Sequence, residues 1–448
     1  MNVQIPRSAG VLLHVTSLPP GPLLDTADRF GVWLATAGFR VWQILPLGPT
    51  DPHGSPYQPN SGFAGHAPLF EDAPDPSAEE VARFAADNVD WLEDYALFLA
   101  LSAEHDQAGW PSWPVPLRDR APAALDAARR RHAAAITRVV HEQCRFERNW
   151  QALKQRLNAR GIRIFGDVPL FLAHNSADVW AHRSLFELTD DGQCESFMGV
   201  PPDAFSDDGQ WWGYPPYRWS AMAESGYAWW KRRFEIQARR FDLVRIDHFR
   251  GLVAFWRIPH QAESARDGSW VPGPGRGCID ALAPVLEGTQ LVAEDLGYIT
   301  DDVVETRHQL GLPGMRVLQF AFDGDPDNPH LPRCHLPDTV CYTGTHDNDT
   351  TLGWWQRLDA NARAVVARTL GQDDPVMPQA LVEFGWSSPG FLSMTPLQDL
   401  IGLGSEARMN VPGTVDNNWQ WRFDWTQIGA DMATTIRQHL IRHDRYPL

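Results

Sequence analysis

Short apolar runs rich in β-branched and aromatic residues recur along this chain, separated by helix-like stretches. They are Val11–Val15, Val41–Leu45, Arg163–Val168, Leu243–Ile246, Leu291–Ala293, Arg316–Phe322, Val340–Thr343 and Phe391–Leu397. A strand with one face in water would alternate apolar and polar residues, whereas near-continuous apolar runs fit a parallel sheet covered on both faces. Between the runs, Ala27–Ala37, Trp150–Ala159, Tyr227–Arg240, Asp301–Gln309 and Asn361–Leu370 read as helices. Eight strand–helix units in this order predict an α/β fold, a closed (β/α)8 TIM barrel forming a single domain over residues 1–448.

Two connections are too long for simple crossovers. Residues 68–160, between the second and third strands, carry alanine-rich runs and predict a helical insertion. Residues 184–219, between the third and fourth, are dense in Gly, Pro, Asp and Trp. Long loops in compact domains are usually functional, so this one is expected to form a lid over the barrel mouth. Its prolines also allow a fixed surface plug.

The net charge of −17 disfavours nucleic acid and anionic membrane as partners, because such a surface repels both. A neutral ligand fits better. Tryptophan is abundant, with 20 residues against 8 tyrosines, and flat indoles can stack on sugar rings as well as fill a core. Five scattered cysteines show neither CxxC nor Cys/His spacing, so reduced thiols, no zinc site and a cytoplasmic location are expected. The first ten residues do not read as a signal peptide, and no stretch reads as a membrane span.

Barrel enzymes place their chemistry at the carboxyl ends of the strands, so polar residues that end an apolar run are the candidates. Four runs end this way: Gly166-Asp167-Val168-Pro169, Arg245-Ile246-Asp247-His248, Ala293-Glu294-Asp295 and Thr345-His346-Asp347-Asn348-Asp349. Carboxylates from adjacent strands can face one sugar from both sides, one attacking carbon and the other protonating the leaving oxygen. Asp247 suits the nucleophile, held by Arg245 two residues earlier on the same strand face. Glu294 has the reach of a general acid/base, and neighbouring carboxylates would raise its pKa. Asp347 could steady the positive charge of the transition state. Any one of them could instead cap a strand end, and the Asp/His clusters contain metal-ligand types, though no HxH or HxxxH spacing supports a metal.

The strings RIDHFRG, AEDLG, TGTHDNDTT, GVLLHVTSLP, WQILPLGPT, SPYQPNSGFAG, GDVPLF, SADVW, GVPPDAFS, LPGMRVLQFAFD and GSEARMN resemble those of amylomaltases. These are the 4-α-glucanotransferases of glycoside hydrolase family 77, and the resemblance runs from about Arg7 to about Trp421. It implies that Asp247 is the nucleophile, Glu294 the acid/base and Asp347 the stabiliser, with Arg245 and His346 holding nucleophile and sugar. Ser55 and Tyr57 match the glucan groove, and Asp203, Phe205 and Trp212 match the lid. The implied substrates are maltooligosaccharides, starch or glycogen-derived α-1,4-glucans, used without cofactor or metal. The chain is expected as a monomer or weak homo-oligomer.

Three positions depart from the family pattern: His66, Ala204 and Tyr214, each able to reshape a sugar subsite. Arg408 and Asn410, in GLGSEARMN, read only as residues that tie down a loop. Alternatives are a plain α-glucan hydrolase, a silent glucan-binding protein and a metal-dependent barrel hydrolase. An intact set of three carboxylates disfavours the binder.

Overall fold

The computed structural model describes residues 5–202 and 207–446. Among these, the strands in chain order are β1 (Ser8–Leu12), β2 (Val41–Gln43), β3 (Arg163–Val168), β4 (Ser196–Val200), β5 (Gln210–Trp211) and β6 (Leu243–Ile246). They continue with β7 (Ala254–Pro259), β8 (Ser269–Pro272), β9 (Gln290–Ala293), β10 (Gly314–Val317), β11 (Thr339–Tyr342) and β12 (Leu392–Pro396). Eight of them close into a parallel barrel in the order β1-β12-β11-β10-β9-β6-β3-β2, as the apolar runs predicted. The other four form an antiparallel sheet, β5-β4-β7-β8.

Register explains why the barrel is dry at one end and charged at the other. Phe165 pairs with Leu243 and Asp167 with Arg245 along β3 and β6, while Arg245 pairs with Val292 of β9. Paired residues share a face and alternate residues repeat it. The barrel interior therefore begins with a buried layer containing Val41, Phe165, Leu243, Met315, Val340 and Leu392. One step further along the strands it turns polar, with Gln43, Asp167 and Arg245 all buried. Gly10 makes the seam possible, because a Cβ there would lie 2.5 Å from the Met394 sulfur.

Two strands differ most from the sequence expectation in their boundaries. The first strand is Ser8–Leu12, with Val15–Ser17 in a 3-10 turn, and the sixth barrel strand ends at Val317 before a second such turn, Leu318–Phe320. Hydrophobicity alone does not separate a buried strand from the buried turn that follows it. Residues 68–160 contain the helices Ala78–Asp87, Leu92–Glu104, Val115–Arg118, Pro122–Arg131 and Ala133–Ala159. The last runs unbroken for 27 residues, so the helix read from Trp150 onward begins much earlier.

The stretch 184–219, expected as a loop, carries β4 and β5. Their sheet is completed by β7 and β8, which follow β6 in sequence and were not foreseen as strands. The inner face of this sheet buries Met198 and Phe255 in the main core. No helix among the described residues is long and apolar enough to cross a membrane.

Candidate active site

Asp247 stands one residue beyond β6, its backbone N–H donating to the Val168 carbonyl at 3.0 Å. Arg245 lies two residues earlier on the same face, and its Nη1 is 2.8 Å from Asp247 Oδ1. The same nitrogen donates to both oxygens of Asp167, at 2.9 and 2.8 Å. Burial disfavours a charged guanidinium, but Asp167 and Asp247 outweigh it and hold the Arg245 pKa well above its ordinary value. For Asp167, burial pushes upward while Arg245 and the Tyr57 hydroxyl, which donates to Oδ2 at 2.8 Å, oppose it.

Glu294 follows β9 in the same way. Its Oε2 accepts the His248 N–H at 2.7 Å and its Oε1 the Leu296 N–H at 3.0 Å. His248 reaches this position with φ 50°, a left-handed conformation uncommon for a side-chain-bearing residue. Burial, reinforced by Asp247 and opposed by Arg245 and the two N–H groups, pushes the Glu294 carboxyl up to about 7. The sequence reading credited crowding by carboxylates; burial is the larger cause.

Asp347 projects from the loop after β11. Its Oδ1 accepts from Asn410 Nδ2 at 2.6 Å and lies 3.3 Å from His346 Nε2, while Arg408 donates to its carbonyl at 2.5 Å. The His346 ring stacks on Tyr57, with centroids 5.0 Å apart and planes 10° apart, and Trp419 flanks both rings. A cavity of about 30 Å³ beneath His346, lined in part by His14 and Gln398, has room for water and not for a sugar.

The remaining candidates divide. Trp212 meets the site: its ring packs edge-on against His248 at 4.9 Å, and its Nε1 donates to Gln210 at 3.0 Å. Tyr214 donates its hydroxyl to the Tyr57 carbonyl at 3.2 Å. Ser55 is engaged locally, accepting the Tyr57 N–H at 3.3 Å while its own N–H donates to Asp51 at 2.7 Å. His66 is half-buried near His14, whose pKa falls to about 3 through burial and the neighbouring His66 and His346. Asp203, Ala204 and Phe205 lie outside the described residues. Among the described residues no group of three or more His, Cys, Asp or Glu is arranged to hold a metal ion.

A family profile described as 4-alpha-glucanotransferase matches residues 13–73 and 67–427. The 4-alpha-glucanotransferase of Thermus thermophilus is 42% identical over 97% of this chain and 98% of its own length. The Synechocystis enzyme of the same name is 39% identical over 98% and 99%. The chain belongs to the 4-alpha-glucanotransferase family. It is an enzyme of the kind that transfers α-1,4-glucan segments. An amylomaltase from Streptococcus agalactiae, solved with acarbose, superposes with a TM-score of 0.92 at 28% identity, covering 98% of this chain and 99% of its own.

Within this glucanotransferase the site draws on residues that sequence reasoning undervalued. Asp167 was visible as a polar strand end, and pairing with Arg245 gives it a partner. Arg408 ties its own loop as read, through the Asn410 carbonyl at 2.7 Å, and both Arg408 and Asn410 also grip Asp347. Trp419 carried no local signal beyond its residue type.

Proposed function

We propose that this glucanotransferase cleaves maltooligosaccharides and starch- or glycogen-derived glucans by retaining double displacement. Asp247 attacks the anomeric carbon while Glu294 gives its proton to the departing 4-oxygen, leaving a glycosyl ester on Asp247. The 4-hydroxyl of a second glucan then returns a proton to Glu294 as its oxygen attacks the same carbon and the ester bond breaks. Asp347 and His346 hold the hydroxyls of the distorted sugar, and Asp347 offsets the positive charge of each transition state. Tyr57 and Trp212 wall the groove. Ser55 supports Tyr57 from the turn beneath it.

One contact carries the reading. The His248 N–H, immediately after Asp247, donates to Glu294, so the acid and the nucleophile are fixed to each other by backbone. A carboxyl near pKa 7 is protonated often enough to act as an acid at neutral pH, and ionised often enough to act afterwards as a base. Trp212 and Tyr214 present aromatic surface beside this pair, which favours a sugar over water as acceptor.

Incubation with maltotriose tests the proposal. The expected products are glucose together with maltooligosaccharides longer than the substrate. A steady rise in reducing ends without longer products would replace transfer by hydrolysis.

A further inference from the structure

The antiparallel sheet has an outer face whose residues follow one another in register. Trp211 of β5 pairs with Gly199 of β4, Gly199 with Trp256 of β7, and Trp256 with Trp270 of β8. Directly paired residues share a face, so three indoles stand in one row across the sheet. Gly199 leaves a gap in that row, which Ile258 fills with its Cδ1 2.6 Å from where a glycine Cβ would be. Beyond β8 the row continues into Tyr298, whose ring stacks on Trp270 at 6.1 Å with planes 17° apart. The neighbouring Trp212 packs toward Phe171 and His248, so consecutive indoles face opposite ways, one to the site and one to solvent.

The row is fixed in place and its ends are open. Trp256 donates to the Ala265 carbonyl at 2.8 Å, and Gly268 lies against its indole. Arg250 sits 3.6 Å from the centre of the Trp270 ring and donates to the Tyr298 carbonyl at 2.5 Å. Tyr298 is nonetheless 58% exposed and Trp211 39% exposed. Isolated exposed aromatics are ordinary, but an in-register row of rigid rings is not. Three strand spacings of about 4.8 Å separate Trp211 from Trp270, the scale of a short oligosaccharide.

We propose that this outer row is a second glucan-binding site, separate from the catalytic groove, on which a polymeric α-1,4-glucan lies while the site works on a chain end. The inference rests on the glucan-transfer reading. Sugar rings offer apolar C–H faces to aromatic planes, and rings already held in position lose little entropy on binding. A row one ring wide is too narrow for a stable protein partner, which needs a broad buried area. The row is also continuous with the site: Arg250 lies in the loop of Asp247, and Tyr298 in the loop of Glu294.

Affinity electrophoresis through gels containing amylopectin tests this, using the Asp247→Asn protein so that the polymer is not consumed. Adding Trp211→Ala with Tyr298→Ala is expected to raise the amylopectin dissociation constant about tenfold. The same pair in the Asp247 enzyme leaves maltotriose turnover unchanged, and Trp211→Phe with Tyr298→Phe keeps the retardation. Equal retardation of the alanine protein and its parent overturns the proposal, as does loss of maltotriose turnover in the alanine pair. Failure of the parent enzyme to turn over maltotriose strikes the transfer reading instead, while retardation still reports on the outer row.

Discussion

Arg245 Nη1 lies 2.8 Å from a carboxylate oxygen of Asp167 and 2.8 Å from one of Asp247. A single nitrogen thus holds the candidate nucleophile against a buried carboxylate that never reaches solvent. A lysine ammonium ends a differently shaped, more flexible stem and is not held where this Nη1 lies, so Arg245→Lys should lower kcat on maltotriose about a hundredfold. Arg245→Met leaves Asp167 buried without its cation and should cost on the order of 3–5 kcal/mol of stability. Steady-state kinetics and thermal denaturation check the two effects. A near-normal kcat for the lysine variant would remove Arg245 from the mechanism.

Glu294, as the proposed acid/base, should set the alkaline side of the pH profile. Its pKa in the folded enzyme is raised to about 7, so the protonated acid is present below that pH and disappears as pH rises through it. The value of kcat/KM should therefore fall about tenfold per pH unit above about 8. Glu294→Gln should abolish turnover of maltotriose. A profile that stays level across the region around pH 7 would contradict the acid role.

The strand arithmetic that led to these residues was legible because it is local. Leu243, Arg245 and Asp247 alternate along one strand, so a single apolar residue and two charged ones already describe the barrel interior from its packed end to its mouth. The antiparallel sheet was not legible. Its strands are short, and β4 finds its partner β7 only across the intervening barrel strand β6. Non-local pairing of that kind leaves no periodic trace. Asn410 was hidden for a related reason, since it stands 63 residues from the Asp347 carboxylate it serves.

Asn410→Ala tests that link. Its amide is a charge-assisted donor to Asp347 Oδ1 at 2.6 Å, and without it the carboxylate is free to turn toward His346. We expect kcat/KM to fall about 10- to 100-fold, mostly through kcat. Unchanged kinetics would make the contact purely structural.

Tyr57 joins two parts of the site, with its hydroxyl on Asp167 and its ring on His346. The two contributions separate by mutation. Tyr57→Phe removes only the hydroxyl and should lower kcat/KM about tenfold, because a hydrogen bond to a charged acceptor is lost. Tyr57→Ala also removes the stack and should raise KM further. If both variants behave alike, the ring contributes nothing to the groove.

Arg445 lies at the other end of the barrel and makes the opposite kind of prediction. It is fully buried, with Nε donating to the Trp386 carbonyl at 2.7 Å and Nη1 to that of Ser8 at 2.8 Å. Its Nη2 reaches the Ser388 and Gly390 carbonyls at 2.6 and 3.1 Å. Ser8 opens β1 and Gly390 precedes β12, so one side chain clasps the seam where the barrel closes. Burial, reinforced by the neighbouring Arg7 guanidinium, pushes its pKa down to about 9, and the four acceptors offset only part of what desolvation costs. Arg445→Met fills most of the volume but supplies no donor, so the Ser8 and Gly390 carbonyls lose this partner while Arg7 still donates to those of Trp386 and Ser388. We expect a loss of about 3–5 kcal/mol, read as a lower urea midpoint with an unchanged slope. Because Asp247 and Glu294 sit at the carboxyl ends of the strands, maltotriose turnover per folded molecule should be unaffected. A variant as stable as the parent would show that the β1–β12 ladder and Arg7 hold the seam without it.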